Sequence, residues 1–310
     1  MKKLFVLILI LALSLTACGR SESEAPADTG PAPQEGGQPA ATPTKIVLAT
    51  PTPKPPPPTP TPKPTETPAP EAAGETQTEA PAPVVGEMVL IPAGEFTMGI
   101  DGGDPEDGPA HGVNLPAYEI DKFEVANDDF ARFVAETGYA TDAEKSGGQS
   151  WQKYAEGKGN HPVVKATWND AVAFCQWAGK RLPTEAEWEK AARGDDGRTY
   201  PWGDNFDGSL ANVKATGLRG TTAVGSFPAG ASPYGLEDVG GNVWEWTADW
   251  FQAYPGNATP NQYFGERFRV TRGGAWFEEP PQVATHNRNA ADPDITANDD
   301  LGFRCARDAS

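Results

Sequence analysis

The stretch Trp177-Ala178-Gly179-Lys180-Arg181-Leu182-Pro183-Thr184-Glu185-Ala186-Glu187-Trp188-Glu189 decides how the chain folds. Thr184 followed three positions later by Glu187 is a capping box, so a helix opens there with Trp188 inside it, and Gly194 ends it. A helix also follows Trp168-Asn169-Asp170 and carries Val172, Phe174, Cys175 and Trp177. A third follows Asn127 as its cap, with Phe130, Phe133 and Val134 on one face and Gly138 as the stop. Short strands are predicted at residues 88–92, 96–98 and 269–273. Gly, Pro, Asn and Trp are spread through the rest, which implies long loops and few regular elements. Residues 87–310 thus read as one α+β domain, long enough at roughly 220 residues for a sizeable core.

Upstream the chain changes character. Lys2 and Lys3 precede an apolar run over residues 4–17, the order of a secretory signal. At about 14 residues it is too short for a membrane span, which needs about 20. It ends in Leu15-Thr16-Ala17-Cys18, which resembles a bacterial lipoprotein cleavage site. The expectation is a signal peptide over residues 1–17, a lipid on Cys18, and a location in the bacterial cell envelope on the extracytoplasmic side. Residues 18–86 are rich in Pro and Thr, with Thr52-Pro53-Lys54-Pro55-Pro56-Pro57-Pro58 as the densest part. Such a segment cannot bury a core and favours extended polyproline II, so it reads as a disordered stalk. A proline-rich ligand or an O-glycosylated segment are the alternatives.

The net charge of -18 argues against phosphate-backbone binding, which needs clustered Lys and Arg, so no nucleic acid is expected. With Cys18 lipidated, Cys175 and Cys305 remain. Export favours joining them; two unrelated buried thiols and a reactive thiol are the other readings. His111, His161 and His286 are dispersed without ligand spacing. Asn257-Ala258-Thr259 fits a sequon, which means little in a bacterial lipoprotein.

Six ordered strings carry more than this pattern. They are Val89-Leu90-Ile91-Pro92-Ala93-Gly94-Glu95-Phe96-Thr97-Met98-Gly99, the stretch quoted first with Trp168-Asn169-Asp170-Ala171 before it, Tyr200-Pro201-Trp202-Gly203, Gly241-Asn242-Val243-Trp244-Glu245-Trp246, Arg272-Gly273-Gly274, and Leu301-Gly302-Phe303-Arg304-Cys305. In this order they resemble the formylglycine-generating enzyme, or sulfatase-modifying factor, family over essentially the whole domain. The resemblance implies a C-type-lectin-like fold, low in regular structure, around a substrate cleft.

Family enzymes oxidise a sulfatase cysteine to formylglycine with oxygen and a copper ion held by two cleft cysteines. Those positions are Glu278 and Val283 here, and the serine after the glycine pair is Ala275. Copper(I) prefers thiolates, so copper and the oxidase reaction are not expected. Cys175 and Cys305 match a pair that the family joins as a disulfide; a second family bridge would fall on Ala192 and Arg288. Asp238, Gly241, Val243 and Glu245 fall on family calcium positions, with Glu124 able to join them, and hard oxygen donors suit that ion. A second calcium site maps to Asn212, Val213 and Leu218, with Thr216 at its acidic position. The cleft residues expected are Ala275, Trp276, Glu278, Val283 and His286, where Glu278 and His286 could form an acid-base pair. Two functions remain: a displayed module holding a peptide, protein or glycan in its cleft, or an enzyme, whether formylglycine-generating or of another reaction. The related sulfoxide synthases need a further histidine-bearing domain and are disfavoured.

Overall fold

The computed structural model describes residues 85–295 and 298–309. The signal, Cys18 and most of the stalk lie outside the described residues. The chain enters through the strands β1 (Met88–Ile91), β2 (Gly94–Met98), β3 (His111–Leu115) and β4 (Tyr118–Asp121). The helices follow: α1 (Asn127–Thr137), two single turns α2 (Asp142–Lys145) and α3 (Gln152–Ala155), then α4 (Trp168–Trp177) and α5 (Glu185–Arg193). The strands β5 (Trp244–Trp250), β6 (Arg269–Arg272), β7 (Asn289–Ala291), β8 (Leu301–Gly302) and β9 (Ala306–Asp308) close the chain. Long loops fill the gap between α5 and β5, where only 3-10 turns are regular.

Three sheets result. β4 lies between β1 and β9, antiparallel to both, so the two ends of the domain share a sheet. β2 and β3 form a hairpin. The four-stranded sheet runs β7-β6-β5-β8; β8 joins β5 in parallel, and a register shift between Trp246 and Trp250 interrupts the pairing of β5 with β6. The predicted strands at 88–92, 96–98 and 269–273 are β1, β2 and β6, within two residues at each end.

Local chemistry sets the helix starts. At α5 the Thr184 hydroxyl accepts from the Glu187 amide (3.2 Å), while the Glu187 carboxylate accepts from the Thr184 amide (2.7 Å), and Gly194 at φ 76° stops the helix. α4 uses the same device with Thr167 and Asp170. Asn127 departs from expectation: it is the first residue of α1 after an uncapped Ala126. Its side-chain amide donates instead to the carbonyls of Lys158 (2.9 Å) and His161 (3.1 Å), fastening a distant loop to the helix start.

Apolar faces then assemble the core. Phe130, Phe133, Phe174, Trp246 and Phe303 share the largest cluster, which encloses Cys175 and Cys305. These cysteines form a disulfide, tying α4 to the residue before β9. A second cluster gathers Ile91, Tyr118, Ile120 and Trp188 between α5 and the three-stranded sheet.

Candidate functional site: a polar cleft beside a buried ion-pair hub

Strand β5 has two faces, and successive residues point to opposite ones. Glu245 faces inward and is fully buried. Arg304, also fully buried, donates to both its oxygens (2.7 and 2.8 Å), and the Trp188 indole N–H adds a third bond (2.8 Å). The other Arg304 hydrogens go to the carbonyls of Asp121, Lys122 and Glu237. A buried charge costs several kcal/mol unless paired and fully bonded, which is the state of both partners here. Beside this pair lie Glu124 and Asp238. Glu124 accepts from the Asn242 amide (2.7 Å) and from the Val243 backbone N–H (3.3 Å). Burial, with Asp238 and Glu245 adding repulsion, holds its carboxyl well above the usual range. Asp238, at φ 60°, accepts from the Gly225 N–H (2.6 Å), and burial pushes it up to about 6.

Trp244, one residue earlier, turns to the other side. Its indole N–H donates to Glu278 (3.3 Å), and both residues line an open cleft of about 360 Å³. Asp104 and Glu106 line it from the loop after β2, Asn287 and Arg288 from the segment before β7, and Asp300 from the turn before β8. Burial raises the carboxyl pKa of both Glu278 and Asp300. The Arg288 guanidinium is already committed. It donates to both oxygens of Glu185 (2.5 and 2.9 Å) and to the carbonyls of Glu106 and Gln252, and it stacks on Tyr254 at 3.9 Å. The cleft therefore presents carboxylates and side-chain amides around one indole.

Of the five cleft residues expected from sequence, only Glu278 lines this cavity. Val283 and Ala275 are fully buried. Val283 packs with Tyr200 and Val213 in an apolar cluster, because the 3-10 turn Pro280–Val283 directs it beneath the surface. Trp276 lies in a different pocket. His286 is not in the cleft wall. Its Nδ1 is buried without a hydrogen-bond partner among the described residues, and burial together with Arg193 and Arg272 pushes its pKa down to about 4, so the Glu278–His286 pair does not form. Sequence reasoning missed Asp104, Glu106, Asn287 and Asp300, which come from separate loops with no shared motif. At the positions where the resemblance places a second bridge, Ala192 joins an apolar cluster and Arg288 makes a buried pair with Glu185. Asn257 is likewise occupied, donating to the carbonyls of Pro105 and Gly108.

The donor sets decide which metals fit. Copper(I) does not, since the two cysteines of the described domain are joined to each other and neither Glu278 nor Val283 supplies sulfur. For a hard cation the fit is divided. Glu124 and Asp238 offer carboxylate oxygens near the Gly241 turn, whereas the oxygens of Glu245 are held by Arg304 and Trp188. Among the described residues no three acidic, His or Cys side chains converge as a metal cluster. At Asn212 and Val213 the fit fails. The Thr216 hydroxyl donates to the Val213 carbonyl (2.8 Å) and contacts Asn212 Oδ1 (3.4 Å), so a proton donor occupies the acidic position, and Leu218 is exposed.

A loop-rich α+β framework, closed by a disulfide to the residue before its last strand and opening a polar cleft beside β5, defines a cleft-bearing scaffold. Comparison with known proteins assigns it further. The family described as sulfatase-modifying factor enzyme 1-like domain matches residues 73–309, and the chain belongs to that family. It is 35% identical over 285 residues to the formylglycine-generating enzyme of Mus musculus, covering 72% of this chain and 75% of that protein. It is 37% identical over 276 residues to a protein of the same species named inactive C-alpha-formylglycine-generating enzyme 2, covering 72% and 86%. Among solved structures, PvdO from Pseudomonas aeruginosa superposes with a TM-score of 0.56 at 25% identity, over 75% of this chain and all of that one.

Proposed function

We propose that this chain is an exported, lipid-anchored binding module that uses the family scaffold to hold a peptide, protein or glycan in its cleft, without formylglycine-generating activity. The observation that carries this reading is the use of sulfur. The disulfide takes both domain cysteines, and the positions of the family's copper thiolates hold a half-buried glutamate and a fully buried valine. The identity to a relative named inactive supports it. Incubating the full chain with copper, oxygen and a sulfatase-motif peptide tests it by mass spectrometry. No aldehyde is expected at the peptide cysteine; any conversion overturns the reading.

The anchor has its own test. Cys18 accepts the lipid, so labelled fatty acid is expected in the wild-type chain and absent from Cys18→Ala, with the variant released from the membrane fraction. Equal labelling of both would dismiss it. A structural calcium ion would be held by Glu124 and Asp238 with backbone carbonyls of the Gly241 turn, neutralising two buried like charges, while Glu245 stays with Arg304. The ion would stabilise loops and take no part in chemistry. At Asn212 no ion is proposed.

A further inference from the structure

A second cavity of about 240 Å³ has a lining of its own, although its Asp299 stands between the cleft residues Asn298 and Asp300, and its chemistry differs from the cleft's. Tyr154, with the Lys165 ammonium 4.8 Å from its ring centre, and Trp276 are its aromatic lining, Pro162 and Val164 are buried apolar residues in it, and Lys158 and Arg219 are exposed cations at it. In a chain with net charge -18, both of these cations lack an ion pair or side-chain hydrogen bond among the described residues. The Trp276 indole N–H is also without a hydrogen-bond partner among the described residues, so it remains a donor.

The backbone holds these groups in place. Asn127 binds the Lys158 carbonyl at 2.9 Å, Asn212 binds the Gly220 carbonyl at 2.9 Å, and the Trp276 amide donates to Asn242 at 3.0 Å. Arg219 stands at φ 58°, a conformation that non-glycine residues adopt at a cost of order 1 kcal/mol and that gathers at binding sites. Arg219 lines the pocket, and no protein anion pairs with it among the described residues. Asp299 also lines the cavity, which disfavours a second negative charge and offers an acceptor for hydroxyls.

We infer that this pocket binds a singly charged sugar acid, its ring between Tyr154 and Trp276, its carboxylate on Lys158 and Arg219, and its hydroxyls toward Asp299. Guanidinium and ammonium donors recognise a carboxylate through charge-assisted bonds. The site shares no lining residue with the cleft and does not rest on the function proposed for it.

Titration calorimetry and tryptophan fluorescence on the full chain test this with sodium glucuronate, glucose and benzoate as probes. Saturable binding of glucuronate is expected, with glucose and benzoate each weaker by about tenfold or more. Arg219→Asn keeps a residue tolerant of positive φ and is expected to lose about tenfold in glucuronate affinity at an unchanged melting temperature. Trp276→Phe is expected to abolish the fluorescence change while keeping part of the affinity. Equal binding of glucose, equal binding of benzoate, unaltered affinity in Arg219→Asn, or no saturable binding of glucuronate at millimolar concentration would each overturn the assignment.

Discussion

Glu245 and Glu278 lie on opposite sides of the same strand and live under opposite rules. Glu245 is enclosed, with three charge-assisted or indole bonds and its own arginine. Glu278 is half buried, takes one long bond from Trp244, and has no cation within ion-pairing distance among the described residues. One glutamate is a structural member; the other lines an opening. The contrast separates what the family scaffold needs to fold from what it can exchange: the ion-pair hub satisfies every group that it buries, whereas of the two positions where the resemblance expects thiolates one is a carboxylate lining the cleft and the other a valine buried away from it.

Removing Arg304 attacks the first half of that contrast and has the largest effect. Arg304→Ala leaves Glu245 buried and unpaired, so a loss of about 3 to 5 kcal/mol is expected in denaturant unfolding. Replacing both Cys175 and Cys305 by Ala opens a loop with a sequence separation of 130 and costs about 2 to 4 kcal/mol, read from the same transition. Adding calcium to chelator-treated protein is expected to raise the melting temperature, and Asp238→Asn, which tolerates the left-handed backbone at that position, removes the rise. Equal melting temperatures with and without chelator would place the carboxylates of Glu124 and Asp238 with the hub, as groups that need no ion.

A pH profile sharpens the comparison at two groups buried behind the cleft wall. Burial pushes Asp107, bonded to the Arg288 N–H and the Asn287 amide, up to about 6. A carboxyl with a raised folded pKa binds its proton more tightly in the native state, so its contribution is present at low pH and is lost as pH rises from about 4 through 6. His286 acts in the other direction, with a folded pKa near 4 that costs stability as pH falls from about 6.5. Asp107→Asn removes only the first contribution, and its stability should rise more steeply with pH across that window than the wild type's. A parallel pair of curves would show that Asp107 does not titrate there. Glu278→Gln has the smallest effect, within about 0.5 kcal/mol, since no buried partner depends on its charge.

Much of the framework was legible in the sequence because it rests on local chemistry. The Thr184–Glu187 box, the Gly138 and Gly194 stops and the three strands follow from neighbours a few residues apart. The joining of Cys175 to Cys305 was favoured by the expectation of export and again by the resemblance, while spacing alone left other readings open. The cleft was not legible beyond Glu278. Asp104, Asn287 and Asp300 meet only after the loops fold, and the position of Val283 depends on a 3-10 turn that the Pro280-Pro281 pair starts. Asn127 misled for a related reason: a residue type that caps helices can spend its amide on a distant carbonyl instead.

The entry point of the domain acquires a meaning when the chain is considered under tension. The Val85 carbonyl accepts from the Lys180 ammonium, which pairs with Asp121 at 2.5 Å. The other oxygen of Asp121 accepts from the Cys305 amide (3.0 Å), and Asp121 stands opposite Met88 where β1 meets β4. A pull on the chain ahead of Val85 is thus shared among an ion pair, a strand pair and, through Cys305, the covalent link to α4. A domain hung by its N-terminal side would carry its load on a cross-linked corner, leaving the cleft unloaded.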